Sequence, residues 1–159
     1  MKTTICAKEL KELEACEEGY NTFYEAHKEA TVKLSEALKS NGLEDLWWLL
    51  GVIEGQLSKQ QMNSLHLLAC NYAETFLENF EKEFPNDDRP RKAIESKRLW
   101  VAGKVGDEEL KVARLEARSA AWSAESAAGS AESAAWSAAG LEQKEQLMQV
   151  LLSWEKGYE

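Results

Sequence analysis

Residues 119–139 repeat one heptad three times: Ser-Ala-Ala-Trp-Ser-Ala-Glu, Ser-Ala-Ala-Gly-Ser-Ala-Glu and Ser-Ala-Ala-Trp-Ser-Ala-Ala. Alanine is the best helix former and gives up no side-chain entropy, so a helix is the state this stretch dictates. Ala113, Ala117, Ala120, Ala124, Ala127, Ala131, Ala134 and Ala138 follow one another at spacings of four and three, which is a heptad seam. Leu110 and Leu141 close its ends. A seam of methyl groups lets a second helix approach toward the short end of the roughly 8–10 Å interaxial range. The spacing therefore predicts a long alanine-rich helix over 110–141, clamped by neighbouring helices. Trp122 and Trp136 stand two heptads apart on one edge, with Gly129 as a gap between them. Tryptophan anchors many interfaces, so both are candidate protein-binding residues. The same seam could instead join two copies in a homodimer.

The rest of the chain supplies helices to do the clamping. Residues 7–18 read as a short helix with Ala7, Leu10, Leu13 and Cys16 inward and Gly19 as its stop. Tyr20, Phe23, Tyr24 and His27 give the next piece an aromatic face. Thr31 can cap a third helix, ended by Asn41-Gly42. Leu43–Ile53, with Trp47-Trp48-Leu49-Leu50, is apolar almost all round and is expected in the core, bounded by Gly51 and Gly55. Ser58 opens a long helix to Phe84, with Leu65, Leu68, Ala69, Tyr72, Phe76, Phe80 and Phe84 down one side and Pro85 ending it. Asp88 is the expected N-cap of the following helix and Pro90 lies in its first turn. That helix should bury Ala93, Ile94, Leu99, Trp100 and Val101 and end at Gly103 or Gly106. Asp107, Glu108 and Glu109 suit the start of the alanine helix, and a last helix follows Gly140. No alternating strand pattern is present. The expected fold is all-α, a single helical domain over 1–159 with short helices to residue 57 and a helical core from 58.

A net charge of −9 narrows the partners. Residues 1–88 carry 17 acidic and eight basic side chains, whereas 89–159 carry 11 of each, so the first half holds the whole excess. Nucleic acid needs a basic footprint and is not an expected ligand; a basic protein partner is. No apolar run reaches the roughly 20 residues of a membrane span, and the start of the chain lacks a signal-peptide apolar region, so a cytoplasmic protein is expected. Cys6, Cys16 and Cys70 show no metal or redox spacing and are expected as reduced, mostly buried thiols.

Leu68-Ala69-Cys70-Asn71-Tyr72-Ala73-Glu74, Phe80-Glu81, the turn Phe84-Pro85-Asn86-Asp87-Asp88-Arg89-Pro90-Arg91-Lys92-Ala93-Ile94-Glu95, Trp100 and the alanine-rich helix come in that order. Together they resemble the Imm-5-like immunity protein family, across about residues 65–140. Members pair a helix ending near an acidic "DDRPR-AI" turn with alanine- and tryptophan-rich helices. They have been assigned, largely by gene neighbourhood, as immunity proteins of bacterial toxin systems, with relatives in phages and prophages. The resemblance implies a protein that binds and blocks a toxin or host protein.

The densest charged cluster is Asp87, Asp88, Arg89 and Arg91. Arginine forks beside carboxylates suit bidentate recognition of a partner, and the same residue types at this spacing also make a capping turn. His27 and His66, the two histidines, have no partner at metal-ligand spacing, and no nucleophile motif, phosphate loop or dinucleotide fingerprint occurs. No catalytic, cofactor or metal site is expected. The reading is a non-enzymatic binding protein; an acidic DNA mimic acting against a host defence enzyme and an oligomerisation module are the alternatives.

Overall fold

The structure, a computed structural model, describes residues 2–125 and 132–156, and of 120–125 and 132–141 the backbone alone. Seven α-helices make up most of the described residues and the fold is all-α. They fall into two compact units, Met1–Met62 with Gly140–Glu159, and Asn63–Ala139.

In the first unit β1 (Thr4–Ile5) pairs antiparallel with β2 (Val32–Lys33), Thr4 opposite Lys33 and Ile5 opposite Val32. Two residues are too few for an alternating pattern to register in the sequence, which is why this ladder was not expected. It matters because it ties the chain start to the start of α3. Helix α1 (Ala7–Glu12) buries Ala7 and Leu10 and opens with Glu9 accepting from the Cys6 N–H at 3.1 Å. Its stop is Glu14, not Gly19. Glu14 adopts φ 58, with Ala15 N–H on Leu10 O and Glu14 N–H on Lys11 O, the paired bonds of a Schellman end. Cys16 is correspondingly exposed. It caps α2 (Glu17–His27), its sulfur accepting from Gly19 N–H at 3.4 Å, and Gly19 lies inside that helix. Phe23 is the buried member of the aromatic face.

Helix α3 (Leu34–Val52) is capped by Glu36 reaching back to the Lys33 N–H at 3.1 Å, not by Thr31. At Gly42 the backbone leaves helical geometry, φ 87 and ψ −173, a conformation only glycine takes without strain, so the helix expected to end at Asn41-Gly42 does break there and α3 is two helical stretches joined across a kink. Past the kink Leu46, Leu49, Leu50 and Ile53 are buried, while Trp48 and Val52 are exposed and Gly51 lies within the helix. That segment is therefore one-sided rather than buried all round. A 3-10 turn (Glu54–Gln56) leads to Ser58, whose hydroxyl accepts from Gln61 N–H while Gln61 answers the Ser58 N–H, a capping box for α4 (Lys59–Glu83).

In the second unit α4 buries Leu65, Leu68, Cys70 and Leu77; Tyr72, Phe76 and Phe80 are half-buried and Ala69 is exposed. Cys70 and Leu77 meet Ile94 of α5 (Arg89–Val101) in the core. Gly103, at φ 70, closes α5, with Lys104 N–H on Leu99 O and Gly103 N–H on Trp100 O. Helix α6 (Asp107–Glu125) packs closely against α5 and buries Leu110 and Ala113 of the seam, with Ala117 half-buried. From Ala120 to Leu141 the seam's side chains lie outside the described residues. Helix α7 (Glu132–Lys156) runs through Gly140, which therefore ends no helix, and its later part buries Leu147, Leu151 and Trp154 in the first unit.

Candidate functional site

The sequence-expected cluster is assembled where α4 gives way to α5. Asp87 N–H closes a turn onto Phe84 O at 3.0 Å. The Asp87 carboxylate accepts from the Arg89 backbone N–H at 3.2 Å, from Arg89 Nε at 2.7 Å and from Nη2 at 2.5 Å. Asp88 occupies the N-cap position, yet its carboxylate makes no capping bond; it pairs instead with Lys92 at 2.9 Å. The capping carboxylate is thus Asp87, one residue earlier than expected. Arg91 reaches back to α4 and forks onto Glu81, both bonds 2.7 Å. These bonds hold the Glu81 and Asp87 carboxyls below the usual carboxylate range and push Arg89, Arg91 and Lys92 upward, each through its hydrogen-bonded partner. The four expected residues share one turn, but their charges engage that turn and α4, which makes the cluster a brace.

The surface next to this brace is a better candidate for contact with another protein. Gly106 N–H bonds Glu109 Oε2 at 3.0 Å at the start of α6, and Trp100 Nε1 donates to Asp107 Oδ1 at 2.6 Å across the α5–α6 connection. The Trp100 ring also meets His66 edge-on at 5.3 Å and carries Lys97 Nζ over its face at 4.0 Å. Burial and then the neighbouring Arg114 charge lower the Lys97 ammonium from its ordinary value. Leu99, expected in the core, is instead 40% exposed, and Val112 and Leu115 of α6 are 53% and 59% exposed.

Charge sorts to either side of these apolar residues. Glu95, Glu108, Glu109 and Glu116, with Lys92, line a groove over Leu99 and Val112. Lys97, Lys111, Arg114 and Arg118, with Asp107, line a second groove beside Trp100 and Leu115. Apolar side chains between acidic and basic margins form a surface suited to a specific protein contact and unsuited to an anonymous one. The signal was in the sequence: on a helix Glu109, Val112 and Glu116 share one side and Lys111, Arg114, Leu115 and Arg118 another. The alanine repeat drew attention to its own seam instead. Trp122 and Trp136 lie outside the described side chains.

Among the described residues no three His, Cys, Asp or Glu side chains gather as a metal site, and no helix is long and apolar enough to cross a membrane. Compared with known proteins, residues 55–149 match the model of the family described as "Imm-5 like putative immunity protein". No curated protein and no solved structure matches the chain.

Proposed function

The chain belongs to the Imm-5-like immunity protein family, and from that premise we propose that it binds and blocks a protein partner without catalysing a reaction on it. The family match carries this reading. The α5–α6 surface supports it, because exposed Leu99 and Val112 offer apolar area to bury and the four glutamates beside them select a basic partner face. In this reading the partner is a toxin or a host protein, the protein acts in the cytoplasm, and its gene belongs to a bacterium, phage or prophage. The test is capture with the tagged protein from host lysate at low and raised salt, followed by assay of the purified partner. One stoichiometric partner is expected, lost at high salt, inhibited on mixing, and no longer held by a Leu99→Lys, Val112→Lys double variant with unchanged circular dichroism. Turnover of a substrate by the protein alone would sink the proposal. A captured DNA-binding enzyme that duplex DNA displaces would point to nucleic-acid mimicry, and a self-associated protein with no partner to an oligomerisation module.

A further inference from the structure

Within the first unit, α1, α2 and α3 enclose a groove of about 280 Å³. Its walls are apolar: Leu10, Phe23, Ala37, Leu46 and Leu49 are buried, and Trp48 stands at its lip, 39% exposed. A polar annex continues from it, sharing Asn41, Glu44 and Asp45 and extended by Glu18 and Thr22. Glu44 and Asp45 thus line the apolar well and Glu18 its annex, and among the described lining residues there is no lysine, arginine or histidine to balance them.

One carboxylate of this margin, Asp45, is held in place. Asn41 Nδ2 donates to Asp45 Oδ2 at 2.9 Å and to Gly19 O at 2.8 Å, tying α2 to the kinked part of α3. A methyl group at Gly19 would come within 3.0 Å of Asp45 Oδ2, so the absence of a side chain there is what lets the carboxylate sit against α2. A fixed carboxylate next to an apolar well attracts a cation without first having to be ordered, and binding then removes the Trp48 face from water.

We propose that this groove receives a segment of a partner protein in which an apolar side chain is flanked by lysine or arginine. The apolar side chain fills the well between Phe23, Leu49 and Trp48, and the flanking cations meet Glu18, Glu44 and Asp45. Charge complementarity selects the occupant: an acidic segment or a nucleic acid would meet three carboxylates with no cation between them. The groove lies within residues 10–49, before the family-matched 55–149, so this inference does not rest on the immunity reading.

Calorimetric titration of the full chain with three synthetic peptides of equal length tests it. One carries a leucine flanked by lysines, one the same leucine flanked by glutamates, and one a glycine flanked by lysines. Saturable one-to-one binding is expected for the lysine–leucine peptide alone. Trp48→Ala and Glu44→Lys, both at exposed positions, should each weaken it on the order of tenfold with the helical circular dichroism unchanged. Equal binding of all three peptides, binding untouched by both substitutions, or no binding by any peptide would overturn the proposal.

Discussion

Glycine shows how far single residues could be read in advance. Most of the helix ends expected from the sequence rested on glycine being a poor helix former, yet only some glycines act that way. Gly42 and Gly103 adopt positive φ and shape the backbone, whereas Gly51 sits inside α3, exposed, where a methyl group would meet nothing within 4 Å beyond its chain neighbours and its own helix backbone. Gly51→Ala should therefore raise stability by about 0.5–1 kcal/mol, and Gly103→Ala should lower it by roughly 1 kcal/mol, both read by urea unfolding. The cysteines divide as cleanly. Cys16 is exposed at a helix cap, while Cys70 is buried, with its thiol pushed up by burial and donating weakly to Ile94 O at 4.0 Å. Brief alkylation of the native protein followed by mass spectrometry should label Cys16 first and Cys70 last. Cysteine identity alone could not separate the two, because what distinguishes them is a turn at Glu14 that moves Cys16 out of α1.

At the scale of elements, the helices with strong local signals were legible and their partners were not. Ser58, the apolar side of α4, Pro90 and Gly103 mark real boundaries because caps and breakers act within one turn. Leu99 was not legible as surface, since exposure depends on what the fold lays over a residue. The α4–α5 brace is likewise a long-range fact: nothing local links Arg91 to Glu81. Its pH dependence follows from the direction of the shifts. The Glu81 carboxyl lies below its ordinary 4.5 because Arg91 hydrogen-bonds its charged form. That contribution is present above 4.5 and is lost as pH falls through the lower folded value. Acid unfolding should accordingly be shallower below pH 4.5 in Arg91→Gln than in the natural chain, where the carboxylate has its partner.

At the scale of the molecule, the late part of the chain completes the early part. The apolar spacing of Leu147, Leu151 and Trp154 was visible in the sequence, but not that these residues belong to the same compact unit as α1–α3. One carboxylate makes the connection chemically. Glu155, whose side chain is 7% exposed, accepts from the Ser35 N–H at 3.3 Å and lies 3.8 Å from Lys33 Nζ, placing an anion at the N-terminus of α3. That terminus carries unpaired N–H groups and the positive end of the helix dipole, so Glu155 completes a cap that begins with Glu36. Glu155→Ala leaves the Ser35 N–H unbonded and should cost about 1 kcal/mol, seen as roughly fivefold faster hydrogen exchange in the first turn of α3. Leu151→Ala opens a buried site and should cost about 2–5 kcal/mol, with protection lost along α3 even though the substitution is 99–117 residues away in sequence. If α3 exchange were unchanged in both variants, the two ends of the chain would not share a core, and the early helices would have to be stable on their own.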